Sequence, residues 1–289
     1  MPRFIPAVAL AGAVLCSAPA FAADYLEGMP GGFRDGYKAD WDMSDAGDPL
    51  DFEFGTRYWY SMGRFNMNSA SDSFSTNDTG HVLELYGRID DNSTATYLKG
   101  IAGYSVALNS DYNTSGATGS SEGGQVYYAG ADFGYLGLGN ENFGFGGFVG
   151  YQFQNDSPFT GRHLGNTTNI NYNMLRLGLA ARANLGDQVD LTAEAAIIPY
   201  ARVDGQLAMD PTVGASSGGS LEGTLYGAAG EVMLGFHPTD NMTIRGGGRA
   251  WYLTGPANVA YTPSGGGAET PSSFSLFRFG ALAELTYAF

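Results

Sequence analysis

Hydrophobic and polar residues alternate along the chain from residue 51 onward. In the first such segment, DFEFGTRYWYSM, one face carries Phe52, Phe54 and Tyr58, and the opposite face carries Glu53 and Arg57. A period of two is the pattern of a β-strand with one apolar and one polar face. It recurs in segments of roughly 10 to 15 residues and predicts an all-β fold of about ten strands. These strands are 51–62, 81–90, 95–107, 126–136, 143–153, 173–184, 189–203, 224–236, 242–253 and 274–289.

The charged residues of each segment fall on one face. The seventh segment sets Leu191 and Ile197 opposite Asp190, Glu194 and Arg202, and no charge breaks the alternation in the six segments with two or more charges. The apolar face mixes Phe, Tyr, Ala, Gly and Leu, which suits contact with lipid chains. Aromatic pairs such as Trp59–Tyr60 and Trp251–Tyr252 lie near segment ends, where we expect their outward-facing members to form interfacial girdles.

The connections between the segments alternate in length. The short ones read DNST, GLGNEN, LGDQ and HPTDN, and the long ones are rich in Ser, Asn, Thr and Gly. The long connections are 63–80, 108–125, 154–172, 204–223 and 254–273. Long extracellular loops and short periplasmic turns are typical of outer-membrane barrels, and closure leaves no strand edge unpaired in lipid. We predict a single closed antiparallel transmembrane β-barrel over residues 51–289.

The first 22 residues differ from the rest and predict a signal peptide. Arg3 precedes the apolar run FIPAVALAGAVLC, and Ala20 and Ala22 form an A-x-A cleavage signature. The acidic, Gly- and Pro-containing stretch 23–50 predicts a periplasmic N-terminal arm. The sole cysteine, Cys16, lies within the predicted signal peptide.

In a closed barrel, the charged rows point into the lumen. The predicted lumen-lining residues are Glu53, Arg57, Glu84, Arg88, Lys99, Asp132, Arg176, Arg182, Asp190, Glu194, Glu231, Arg245, Arg249, Arg278 and Glu284. Basic and acidic groups nearly balance in this set, and a barrel of about ten strands is narrow. The pattern favours an ion-pair network that fills the interior, because buried charges must be paired. A narrow channel for ions or small solutes, lined by the same groups, is the alternative.

Charge and residue usage exclude several classes of function. The formal net charge is −15, which argues against nucleic acid as a partner. Carboxylates are scattered without EF-hand or His/Cys spacing, so no metal site and no cofactor are predicted. A hydrolase would need a histidine beside a carboxylate. His81 lies near Asp72 and Asp78 in sequence, but no Asp-x-His pair occurs at a strand top. We therefore predict no enzymatic activity. An omptin-like or lipid-modifying hydrolase is the least favoured hypothesis.

The segment DPLDFEFGTRYWYS, the alternating strands and the terminal LTYAF resemble the opacity-type outer-membrane barrels of Gram-negative bacteria. Many such α-proteobacterial proteins are described as porin-family proteins or surface antigens. The resemblance covers residues 50–289 and is architectural. The simplest members have eight strands, which is the alternative count here.

This resemblance implies residence in the bacterial outer membrane, in contact with its lipid and lipopolysaccharide. It also implies insertion by the barrel-assembly machinery with the help of periplasmic chaperones. In the family, a terminal Phe preceded by apolar residues at alternate positions is the assembly signal, and Leu285, Tyr287 and Phe289 occupy those places. The expected role is structural or surface-interactive through the extracellular loops, toward a ligand that the sequence does not identify.

Overall fold

The computed structural model describes residues 49–69, 73–114, 118–140, 142–157, 169–186, 188–207, 219–260 and 269–289. The predicted signal peptide and nearly all of the predicted arm lie outside these residues. Among the described residues, no helix has the length and apolar character needed to cross a membrane.

The described residues form eleven antiparallel strands. They are β1 (Leu50–Ser69), β2 (Ser73–Asp91), β3 (Thr96–Thr114), β4 (Thr118–Glu122), β5 (Gln125–Asn140), β6 (Phe143–Ser157), β7 (Asn169–Gly186), β8 (Val189–Leu207), β9 (Gly219–Thr239), β10 (Met242–Ala260) and β11 (Glu269–Ala288). Short β4 and long β5 lie end to end along β3, interrupted at Gly123 and Gly124, and act as one strand. Pairing of β1 with both β2 and β11 closes the sheet. The predicted ten-stranded closed barrel is confirmed.

The strands are longer than the sequence pattern indicates. β1 and β2 continue to pair as far as Asn68 and Ser73, so most of the predicted loop 63–80 is a β-hairpin. β1 has 20 residues. At about 3.3 Å per residue and a tilt near 45°, such a strand rises roughly 45 Å, compared with about 25 Å for the apolar band of a membrane barrel. The barrel therefore projects beyond the membrane.

The polarity of the two faces inverts along each strand. In β1, Tyr58 and Tyr60 are exposed on the outer face, whereas beyond residue 62 the exposed residue is Arg64 and the apolar side chains of Phe65 and Met67 are buried. We call the part with an apolar outer face the membrane zone. It comprises 50–62, 81–91, 96–106, 126–140, 143–153, 174–186, 189–200, 226–239, 242–252 and 277–289.

The remaining strand residues form the extracellular zone, with polar residues outside. It comprises 63–69, 73–80, 107–114, 118–125, 154–157, 169–173, 201–207, 219–225, 253–260 and 269–276. Its inward residues are mostly apolar on β1 and β7 to β11, whereas on β2 and β6 they include Asp78 and Asp156. This arrangement is that of a water-soluble β-protein, in which apolar side chains avoid solvent.

A β-bulge in β8 places Arg202 on the face opposite to the one predicted from the alternation. The register between β8 and β9 shifts between Ile198 and Ala201, where Pro199 and Tyr200 are both exposed. The extra residue changes the parity of the strand. Arg202, expected on the same face as Asp190 and Glu194, instead points outward with 60% of its side chain exposed, 3.9 Å from Asp204.

Candidate functional site in the barrel lumen

The periplasmic end of the lumen is built around Arg245 on β10. Its guanidinium lies 2.5 Å from Glu53, 2.8 Å from Glu284 and 3.2 Å from Asp190. The second partner of Asp190 is His237, whose Nε2 lies 2.7 Å from the carboxylate. These contacts join five neighbouring strands, β8 to β11 and β1, at the mouth of the barrel.

A second group of ion pairs lies deeper and crosses the barrel. Arg249 reaches Glu84 at 2.6 Å and Glu231 at 2.6 Å. Arg57 contacts Glu231 at 3.2 Å and also pairs with Glu284. Each carboxylate pairs with a guanidinium on a strand other than its own. The group therefore ties together five neighbouring strands, from β9 through β10, β11 and β1 to β2.

Lys99 and Arg176 complete the network on the other side of the lumen. Lys99 Nζ lies 2.6 Å from an oxygen of Glu194 and 3.2 Å from Asp132. Arg176 lies 3.1 Å from the same aspartate. Nearer the wall, Arg88 binds Asp90 at 2.7 Å.

The fifteen residues predicted to line the lumen are all buried or partly buried. All except Arg182 belong to an ion pair within the described part of the chain. Arg182 borders a small cavity near the periplasmic mouth.

Above the ion pairs, three aromatic side chains form what we call the aromatic seal: Trp59, Tyr128 and Trp251. The rings of Trp59 and Trp251 have centroids 4.8 Å apart, and Tyr128 meets both edge-on at 6.2 Å. Val82, Leu108, Val126, Met233 and Leu282 pack in the same cluster. Although aromatic pairs near segment ends suggested girdle positions, these three rings point into the lumen.

A further ion-paired group, the Arg278 layer, consists of Arg278, Asp78 and Asp156. Arg278 is fully buried and donates to Asp78 through Nη1 and Nη2 at 2.7 and 3.0 Å, and to Asp156 through Nη2 at 3.0 Å. Gly63 makes room for this layer, because a Cβ atom there would lie 2.6 Å from Arg278 Nη2. Both aspartates lie in predicted loops, so their role in the lumen was not predicted. Continued alternation through those segments was the signal that could have found them.

An apolar cluster on β1 and β7 to β11 lies in the extracellular zone and at its border with the membrane zone, and we call it the extracellular core. Its members are Phe65, Met67, Ile170, Tyr172, Met174, Ile198, Ala201, Val203, Leu221, Leu225, Leu253, Ala257, Val259, Phe274 and Leu276. Among the ion pairs of the described residues lie small cavities, including two of about 30 Å³ each. A cavity of that size holds about two water molecules.

The histidine and the aspartate considered for hydrolysis lie on opposite faces of β2. His81 lies on the outer face, where its Nδ1 is 2.5 Å from the hydroxyl of Tyr58 and its ring packs edge-on against Tyr60. Asp78 points inward and binds Arg278. His163 and Asp72 lie outside the described residues. The structure therefore does not bring His81 and Asp78 together.

Solved outer-membrane barrels are similar to this fold. The outer membrane protease OmpT from Escherichia coli aligns with a TM-score of 0.59 at 12% identity, over 83% of this chain and 97% of that chain. Neisserial surface protein A aligns with a TM-score of 0.33 at 9% identity, over 83% and 97%. OprG from Pseudomonas aeruginosa aligns with a TM-score of 0.36 at 9% identity, over 83% and 95%. No protein-family model matches the chain, and no curated protein matches it in sequence.

At 12% identity, the likeness to OmpT concerns the fold. Closed antiparallel barrels with an apolar outer band are the form in which strands cross the bacterial outer membrane. The chain has both features and is an integral barrel of that membrane, as predicted.

Proposed function

We propose that the chain is a closed, non-conducting barrel of the opacity type that acts through its extracellular surface and has no enzymatic activity. The observation that carries this proposal is that the described residues place side chains across the lumen at three successive levels. Ion pairs occupy the periplasmic part, the aromatic seal lies above them, and the extracellular core lies at the top.

A channel would require a continuous hydrated path. The two cavities of about 30 Å³ both lie on the periplasmic side of the extracellular core. An ion entering from outside would have to cross apolar side chains and then separate buried ion pairs. Separating a buried pair leaves an uncompensated charge, which costs several kcal/mol.

The surface role rests on the outward face of the extracellular zone. On β6 and β7, Asn155 donates to Asn169 and to Asn171, the latter at 2.7 Å, and Asn171 in turn donates to Asp204 on β8 at 3.5 Å. Asn155 itself is buried. It fixes the exposed Asn169 and the partly exposed Asn171, so that the outer face of this part of the sheet has a polar surface of defined shape. Such a surface suits recognition of polar ligands, including the sugars of lipopolysaccharide, at low entropic cost.

We propose that the protein has no enzymatic activity because of where its described histidines lie. OmpT is a protease, but here His81 faces away from the lumen. The other described histidine, His237, is engaged at the periplasmic mouth by Asp190 and by Thr243 Oγ1, which lies 3.0 Å from its Nδ1.

Planar-bilayer recording tests the proposal. The purified barrel should insert without producing discrete conductance steps, because ion pairs, the aromatic seal and the extracellular core lie across its lumen. A general porin inserted into the same bilayer shows that steps are detectable. Reproducible unitary steps from the wild-type barrel would overturn the proposal in favour of a narrow channel.

A further inference from the structure

The Arg278 layer encloses more negative than positive charge. Asp78 and Asp156 both bind Arg278, and within the described residues neither aspartate pairs with another cation. All three side chains are buried, with the guanidinium fully so. With both carboxylates ionised, the layer would hold one unbalanced negative charge beside the extracellular core. An unbalanced charge in such surroundings is strongly unfavourable.

The two aspartates are held differently. Asp78 accepts two hydrogen bonds from Arg278, one on each oxygen. Asp156 accepts through Oδ2, while its Oδ1 is buried and has no hydrogen-bond partner. Asp156 is therefore the carboxylate that gains most from a proton, since protonation turns Oδ1 into a donor.

Acceptors for that donor lie in the same layer. Gln154 is two residues away on the same face of β6, is 1% exposed, and has neither of its amide atoms hydrogen-bonded. Tyr172, directly opposite Gln154 on β7, is fully buried with an unpartnered hydroxyl. A protonated Asp156 can donate to the Gln154 carbonyl oxygen or to the Tyr172 hydroxyl oxygen. An ionised Asp156 can only accept, from Gln154 Nε2 or from the Tyr172 hydroxyl, and leaves the Gln154 oxygen without a donor.

The groups around Asp156 come from four other strands. Arg278 on β11, Asp78 on β2 and Tyr172 on β7 are the charged and titratable ones. On β5, Val126 stands opposite Asp156, and Tyr128 stands opposite Gln154 with its hydroxyl donated to Glu84. Burial raises the pKa of Asp156 to about 6, with Arg278 opposing the shift and Asp78 adding to it.

We propose that the Arg278 layer is a buried proton-binding site in which Asp156 takes up one proton from solution. The protonated layer is neutral and joins β6, β7 and β11 through hydrogen bonds between the aromatic seal and the extracellular core. Loss of the proton leaves a net charge in the layer and weakens its hold on the extracellular zone.

The test of this site is the free energy of unfolding, measured at a series of pH values by urea unfolding in the presence of phospholipid vesicles. A free aspartate has a pKa of about 3.9, so the folded chain binds the extra proton between about pH 4 and about pH 6. Wild-type stability should fall as pH rises through that window. Asp156→Asn, which is neutral at every pH, should lack this fall. The equilibrium constant for unfolding of Asp156→Asn, divided by that of the wild type, should fall by up to about 100-fold from about pH 4 to about pH 6.

Asp111→Asn, at an exposed position of β3, is the matched control and should follow the wild-type profile. Parallel profiles for wild type and Asp156→Asn would overturn the proposal. So would wild-type stability that depends on sodium rather than on pH, which would indicate a bound alkali cation. If Asp156→Asn does not fold, infrared spectra of the wild type at about pH 5 and about pH 8 decide. A protonated-carboxyl band should disappear between them, and its absence at both pH values would contradict the site.

Discussion

The membrane zone and the extracellular zone share the same strands, but their apolar side chains lie on opposite faces. In the membrane zone of β9, Val232 and Leu234 are exposed, whereas Leu221 and Leu225 of its extracellular zone are buried. Apolar side chains must be covered only where the alternative is water. Lipid chains cover them in one zone, and the opposite wall of the barrel covers them in the other. The inversion therefore marks where the surrounding solvent changes.

The largest expected effect comes from leaving charge unpaired in the membrane zone. Arg249→Ala removes a buried guanidinium and leaves Glu84 without an ion-pair partner among the described residues. Breaking a buried pair in this way costs about 3–5 kcal/mol. Urea unfolding in vesicles should show that loss. The double variant Arg249→Met/Glu84→Gln should recover part of it, and a double variant no more stable than the single one would contradict the pairing argument.

The same charge placed on the outer face of each zone gives a smaller and more direct comparison. Val232→Arg puts a cation against lipid near the middle of the membrane zone and should cost about 2–4 kcal/mol. Glu222→Arg, on the outer face of the same strand in the extracellular zone, should change stability by less than about 0.5 kcal/mol. Unfolding measurements on the two variants check the boundary. Equal costs would show that both positions meet the same medium.

The smallest effect is expected at the β8 bulge. Arg202→Ala removes an exposed ion pair with Asp204 at 3.9 Å, and exposed pairs contribute only about 0–1 kcal/mol. Unfolding should therefore stay near that of the wild type. A loss of unfolding free energy as large as that of Arg249→Ala would indicate that Arg202 lies inside the barrel. It would contradict the bulge in β8.

Alternation identified the strands of the membrane zone because lipid on one side and paired charges on the other give a strict period of two. It failed above the membrane for a physical reason. Asn66 and Asn68 belong to an outer face that meets water, so the segment has the composition of a loop while Phe65 and Met67 keep it paired as a strand.

The rest of the lumen depended on features that alternation does not record. A one-residue bulge moved Arg202 to the outer face. The partners in each ion pair depend on register across many strands, such as Arg57 with Glu231, and no local pattern specifies them.

The aromatic seal also gives the protein a spectroscopic reporter. The chain has three tryptophans, and two of them, Trp59 and Trp251, stand together in the seal, with Arg249 over the ring of Trp59 at 5.4 Å. The third, Trp41, lies outside the described residues and can be replaced by Phe. The fluorescence of such a variant would originate in the seal alone, so its emission wavelength would record whether water has reached the centre of the barrel.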